Sequence, residues 1–318
     1  MIKKIVIARH YGFCMGVKRA IKIADETARE SSGPVTILNE IVHNDAVVDD
    51  FRRKGVGQEF SVGDVISGTL IISAHGVAPG VKQAARDKGL TVVDATCPLV
   101  TNIYKIIGRA IPQGFYLIHF GDPDHDETQG VVGHAPDRIT VISSITELDD
   151  YPDWRDRKLG LTVQTTMRIE DFEVFRLAAE KKWPHLVTFD TICMATSERQ
   201  SAIRDMAPEV DMILVVGSQT SANSKRLAHI SQALCGRGEL IGSVDDIRDD
   251  WFTGAGDSIE RVGVTAGAST PDFLVDAVIE QLREISGGRA EVVRQPKPPK
   301  KRLVPQSAVP GAANHTKA

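Results

Sequence analysis

Three of the four cysteines stand where a short apolar run ends and a helical pattern begins: Cys14 in ARHYGFCMGVKRAIKIADE, Cys97 in TVVDATCPLVTNIYKIIGRA and Cys193 in VTFDTICMATSERQSAIRDMA. The second and third share an Asp-x-x-Cys signature, Asp94 to Cys97 and Asp190 to Cys193. Thiolate is a soft ligand suited to zinc, copper(I) or iron–sulfur clusters, and a helix start favours it through the dipole and free backbone N–H groups. A single free cysteine is more often a small buried hydrophobe. Three in repeated contexts, 83 and 96 residues apart, read instead as soft ligands delivered by three units of one small α/β domain each to a pseudo-threefold centre. Three ligands leave one coordination position open, as in catalytic rather than structural metal sites. A metal with a free position can act on a substrate oxygen as a Lewis acid. Cys235, in SQALCGRGEL near a predicted helix end, has no such context and reads as structural.

The histidines repeat the theme: His43 in EIVHN, His75 in SAHGV and His125 in PDHDE each follow an apolar run. One such residue would be a satisfied core or surface group; three at strand ends make convergence on a pocket credible, where they can donate hydrogen bonds to an anion. Further strand-end loops add Thr165 in LTVQTTM, Ser221, Ala222 and Asn223 in GSQTSANSKR, and Ser269 in TAGASTPD. Singly these are turns and helix caps; together, beside helix N-termini, they suit a diphosphate. No Walker-type loop or G-x-G-x-x-G is present, so nucleotide binding is not the natural inference. Glu127, two residues beyond His125, could relay a proton in a closed pocket; its acidic neighbours Asp122, Asp124 and Asp126 equally allow a solvated acidic loop.

These residues need strands that end at one place. The chain alternates apolar β-type runs with helical patterns, the mark of βαβ units and parallel sheets. The runs 68–80, 115–130, 212–226, 35–45 and 261–272 all end in small or polar residues, and ligands gather at the carboxyl ends of parallel strands. The expectation is three similar α/β lobes, 14–97, 98–193 and 194–285, with the strand in 1–13 packing on the closing lobe; one long doubly wound sheet is the alternative. Residues 294–318 carry six of the 38 basic side chains and none of the 42 acidic ones, and read as a disordered basic tail. The rest is more acidic than the overall −4, which argues against nucleic acid as a partner. No apolar run approaches membrane-spanning length and no signal-type segment opens the chain, so no membrane and a cytoplasmic location are expected. Four widely spaced cysteines without a C-x-x-C pair suggest neither a disulfide framework nor a zinc ribbon.

GFCMGVKRAI, EIVHN, SAHGV, DATCPLVT, GDPDHDETQG, QTT, DTICMATSERQ, GSQTSANSKRLA and GVTAGASTPD run in the order found in the 4-hydroxy-3-methylbut-2-enyl diphosphate reductases, the LytB-type iron–sulfur reductases, which the chain resembles over roughly residues 1–285. The resemblance implies three α/β domains in a trefoil around a [4Fe–4S] cluster held by Cys14, Cys97 and Cys193, its fourth iron open to the substrate oxygen and lost as [3Fe–4S] on exposure to oxygen. It implies a substrate pocket of His43, His75, His125 and Thr165, a diphosphate site of Ser221, Asn223 and Ser269, and Glu127 as the proton relay. The implied reaction is reductive dehydroxylation to isopentenyl and dimethylallyl diphosphate, the last step of the methylerythritol phosphate route, with reduced ferredoxin or flavodoxin as donor. Ala222 stands where many members carry a second serine, and Asp126 where proline is common. A non-enzymatic iron–sulfur sensor or a paralogue on the same scaffold, or a zinc enzyme with three cysteines and a water, are the alternatives; the histidine–hydroxyl pocket argues against the sensor.

Overall fold

The computed structural model describes residues 2–253 and 259–296. In chain order the elements are β1 (Lys4–Ile7), α1 (Met15–Glu30), β2 (Val35–Leu38), α2 (Asp45–Arg53), β3 (Gly57–Glu59), β4 (Thr69–Ile72), α3 (Pro79–Asp87), β5 (Thr91–Asp94), α4 (Pro98–Ala110), β6 (Phe115–Phe120), α5 (Asp126–Val132), β7 (Ile139–Ile142), β8 (Lys158–Val163), α6 (Ile169–Lys182), β9 (Val187–Thr188), α7 (Met194–Met206), β10 (Met212–Val216), α8 (Ala222–Cys235), β11 (Gly238–Ile241), α9 (Asp250–Thr253), β12 (Arg261–Ala266), α10 (Asp272–Ile285) and β13 (Glu291–Arg294). They form three sheets, ordered β3-β2-β4-β5, β7-β6-β8-β9 and β11-β10-β12-β1-β13, and the strand pairs are parallel throughout. The central strands are mostly buried, and β10, MILVV, is an unbroken apolar run, as expected where helices cover both faces of a parallel sheet.

The three sheets are one topology used three times. The first two strands of each unit pair with each other, the third adds beside the first, and a fourth adds beside the third. In the last sheet that fourth place is taken by β1, which pairs with β12 over Lys4 to Ile7. The chain thus closes its own ring: the N-terminal strand completes the C-terminal lobe. β13 extends this sheet along the other edge of β1, Lys4 facing Glu291 and Ile7 facing Arg294. Composition put the start of the tail at residue 294, whereas the strand runs through Arg294, and Gln295 donates from its backbone to Ile7 O at 2.9 Å. Residues 297–318 of that tail lie outside the described residues.

What positions the site is where the chain crosses between lobes. β1 lies in the third sheet, but α1 packs Val17, Ala20 and Ala24 against Ile37 and Ile71 of the first. β5 lies in the first sheet, but α4 packs Ile103 and Ile107 against Phe115 and Leu117 of the second. β9 lies in the second sheet, but α7 packs Ala202, Ile203 and Met206 against Ile213 and Val215 of the third. The helix-cap residues at these three crossings are Cys14, Cys97 and Cys193. Burial of each helix's apolar face against the next sheet fixes the crossing, at about 25 cal/mol per Å² of apolar surface removed from water.

Candidate functional site

The three corners are built alike. Each cysteine donates its backbone N–H to a carbonyl in the loop beyond the neighbouring strand: Cys14 to Ala268 at 3.0 Å, Cys97 to Ala74 at 2.9 Å and Cys193 to Thr165 at 3.1 Å. Ser269 and His75 follow two of those anchors and Thr165 is the third, so each thiol corner is tied to a loop that carries a pocket residue. The Asp-x-x-Cys signature shapes two corners: the Asp94 and Asp190 carboxylates accept the backbone N–H two residues on, Thr96 and Ile192, both at 3.0 Å, an Asx-type turn between strand and helix. At the first corner Gly12 takes a left-handed backbone, φ +70°, and an added Cβ would fall 2.2 Å from Asp272 Oδ1, so glycine is required there.

Cys14 and Cys193 cap their helices through sulfur, accepting from Val17 N at 3.4 Å and Thr196 N at 3.3 Å. Pro98 opens α4, and the Cys97 sulfur makes no cap of that kind. Burial pushes the Cys97 and Cys193 thiols up, outweighing the nearby backbone N–H groups and Thr196, while the Cys14 sulfur and Glu127 carboxyl push the same way.

These residues fit a multi-iron cluster better than one ion. A tetrahedral ion with 2.3 Å bonds to sulfur needs its thiolates about 3.8 Å apart, and the three thiols are not among the described groups of three ligands that lie within 4.8 Å of one another. Gly16 leaves the space: its Cβ would lie 2.5 Å from Cys97 Sγ and 3.9 Å from Cys14 Sγ.

Beside the thiols stands a closed acid pair. Glu127 is 2 % exposed; its Oε1 accepts from Thr165 N at 2.7 Å and its Oε2 from Thr165 Oγ1 at 2.6 Å. Burial holds its carboxyl above the ordinary range, against the lowering pull of these two bonds and of the Arg226 charge. The bland alternative, a solvated acidic loop, fits Asp122 and Asp124, which are exposed, but not Glu127.

The three histidines converge. The His43 and His75 rings stack with centroids 4.0 Å apart, and His125 meets both edge-on at 5.5 and 5.8 Å. His125 caps α5, its Nδ1 accepting from Glu127 N at 3.1 Å, so its neutral ring carries the proton on Nε2. Burial and the neighbouring His43 lower His125 to about 4, and burial drives His75 well below its ordinary value. His75 and His125 are therefore neutral at rest, each able to donate one N–H.

The hydroxyl and amide groups gather at the start of α8, between the ends of β10 and β12. Ser221 accepts from Ser224 N at 3.2 Å, which leaves its own O–H free to donate. Asn223 is buried and its Nδ2 has no protein partner, nor has Ser224 Oγ, and unpartnered buried donors at a helix start suit an anion. Ala222 offers backbone alone. The Ser269 hydroxyl donates to His43 O at 2.9 Å, tying the third lobe to the first. The sequence reading passed over Arg226, half-buried, which donates to Thr166 Oγ1 at 2.8 Å and lies close enough to Glu127 to lower it. Its signal was present: one helical turn beyond Ala222, it shares that residue's face of α8.

Three repeated parallel α/β lobes with a cysteine at every crossing and an acid–histidine pocket beside them define a trefoil-type α/β protein. The chain belongs to the LytB family, whose model, described as LytB protein, matches residues 5–283. It is 36 % identical over 307 residues to a 4-hydroxy-3-methylbut-2-enyl diphosphate reductase of Methylibium petroleiphilum, covering 93 % of this chain and 92 % of that one. With the protein of the same name from Symbiobacterium thermophilum it shares 38 % over 282 residues, 86 % and 94 % of the two chains. The solved E-1-hydroxy-2-methyl-but-2-enyl-4-diphosphate reductase of Plasmodium falciparum superposes with a TM-score of 0.88 at 27 % identity, covering 98 % of this chain and 96 % of that one. A solved (E)-4-hydroxy-3-methyl-but-2-enyl diphosphate reductase, titled the terminal enzyme of the non-mevalonate pathway, gives 0.65 at 34 % identity, over 89 % and 100 %.

Proposed function

We propose that this protein is a 4-hydroxy-3-methylbut-2-enyl diphosphate reductase, removing the allylic hydroxyl of its substrate by two-electron reduction to give isopentenyl and dimethylallyl diphosphate. The observation that carries the reading is the pairing of buried Glu127 with Thr165, whose backbone carbonyl also holds the Cys193 N–H. Cys14, Cys97 and Cys193 would hold a [4Fe–4S] cluster, which when bound supplies the electrons and a Lewis-acidic iron for the hydroxyl oxygen.

The chain's own residues do the rest. Asn223, Ser221 and the amides at the start of α8 bind the diphosphate, with Ser269 at its edge. His75 and His125 donate to its charged end, and the His43 ring stacked on His75 helps pack out water. Glu127, kept above its ordinary value by burial, is suited to hold a proton at Oε2 and pass it through the Thr165 hydroxyl to the leaving oxygen. Arg226, which lowers Glu127, restores the carboxylate's stability after that transfer.

Electrons would come from a small carrier such as a reduced ferredoxin or flavodoxin. Met15, Leu99 and Met194, just past the three cysteines, are 85, 45 and 59 % exposed and give an apolar rim where such a carrier can dock. Among the described residues no helix is long and apolar enough to cross a membrane, in keeping with a cytoplasmic location. Anaerobic purification tests the cofactor assignment: a brown protein with iron and sulfide in near-equal amounts is expected, and a colourless zinc-loaded one would overturn it.

A further inference from the structure

Among the described residues, the one group of three His, Cys, Asp or Glu side chains whose ligand atoms all lie within 4.8 Å of one another is His43, His75 and Asp126. Three observations make it more than proximity. His75 Nδ1 is buried with no hydrogen-bond partner, and it lies 3.9 Å from Asp126 Oδ2. His43 Nδ1 is held by Glu40 Oε2 at 2.8 Å, which fixes the tautomer and leaves Nε2 as a free lone pair, the outer carboxylate that metal-bound histidines regularly carry. The side chains of His43, His75 and Asp126 are 17, 16 and 23 % exposed, so an ion can reach them from solution.

We propose that His43, His75 and Asp126 form a binding site for one divalent transition-metal ion of the zinc type, and that this ion and the diphosphate exclude each other. Two imidazoles and one carboxylate are a donor set such ions favour. Bonds of about 2.0–2.1 Å in tetrahedral geometry need donors about 3.3 Å apart, so the His75–Asp126 pair closes by roughly half an ångström when the ion enters. Charge closes as well: Asp126 and the outer Glu40 together balance a dication. The histidines would have to surrender to the ion the groups that otherwise face the diphosphate, which makes occupation mutually exclusive. Asp126 stands where the family commonly has proline, so the third ligand belongs to this chain. The metal site itself does not depend on the reductase reading; only the exclusion of substrate rests on it.

The test is anaerobic calorimetric titration of the cluster-loaded protein with zinc chloride, without phosphate or chelator, with iron release followed in parallel. One ion per chain is expected, with affinity at least tenfold weaker in Asp126→Asn and in Glu40→Gln, and with the iron retained. Equal affinity in wild type and Asp126→Asn, or zinc uptake accompanied by iron loss, would overturn the site, the second because the ion had gone to the thiols. An anomalous-scattering map at the zinc edge of wild-type crystals decides the same point should a variant fold poorly. In turnover, zinc should raise KM with kcat unchanged in wild type and leave KM of Asp126→Asn unmoved; an unchanged wild-type KM would overturn the exclusion. Absence of any turnover would count against the reductase reading, while the titration still decides the metal site.

Discussion

Replacing Glu127 with Gln swaps one carboxylate oxygen for an amide nitrogen at nearly constant shape. Both oxygens are bound by one residue, Thr165 N–H at 2.7 Å and Thr165 Oγ1 at 2.6 Å. In Glu127→Gln the carbonyl can keep the backbone N–H, and the new NH2 faces the hydroxyl, which turns from donor to acceptor. Because the proton-holding form of Glu127 is itself neutral, one neutral hydrogen bond of about 0.5–1.5 kcal/mol replaces another. The loss to folding is therefore at most on the order of 1 kcal/mol. Catalysis loses far more: a positioned proton donor contributes about 10²–10⁴-fold, or about 3–5 kcal/mol of barrier. Turnover measured anaerobically with a chemically reduced donor, beside iron content and thermal midpoint, separates the two. A fall in kcat of at least a hundredfold with iron per chain and midpoint nearly unchanged is expected. Turnover within about threefold of wild type would remove Glu127 from the proton step, and parallel loss of iron would make its role structural.

Cys97→Ser should strip most of the iron, whereas Cys235→Ser should keep it, because Cys235 Sγ only donates to Ser231 O and Arg237 O at 3.1 Å; iron and sulfide analysis checks both. Gly16→Ala places a Cβ 2.5 Å from Cys97 Sγ and should lower iron retention without unfolding the lobes, read by circular dichroism beside iron content. Acid should weaken the fold through the histidines. His125 and His119 are lowered from 6.5 to about 4 and about 3, and His75 falls well below 6.5. The unfolded chain therefore takes up protons that the folded one refuses, so their stability contribution is whole above pH 6.5 and is lost as pH falls toward 4. Thermal midpoints across that window should drop steeply, and a flat profile would contradict the buried neutral rings.

Much of this site could be read before any fold was known, and the reason is local. A cysteine between a β-run and a helix, or a histidine at a strand end, is defined by the residues on either side. So are the strands: β10 is a continuous apolar run, β6 and β12 are mostly apolar, and each is followed by small or polar residues. What stayed hidden depends on distant pairs. Ser269 holds His43 O across 226 positions, and Ser218 meets Asp45 across 173; no spacing announces either. The burial that raises the Cys97 and Cys193 thiols is set by packing between lobes, which no local spacing announces. β13 escaped notice because EVVR is short, mostly exposed and followed at once by a basic, proline-rich stretch. Arg226 reads as a surface helix residue until α8 is packed beside Thr166.

In the proposed function, three thiols and the Glu127–Thr165 pair serve a single reductive dehydroxylation. Its most direct test is to incubate anaerobically purified, iron-loaded protein with a chemical reductant and 4-hydroxy-3-methylbut-2-enyl diphosphate and to resolve the five-carbon diphosphates formed. Both isopentenyl and dimethylallyl diphosphate should appear in proportion to enzyme and vanish in Cys97→Ser; intact substrate after incubation with protein of full iron and sulfide content would contradict it.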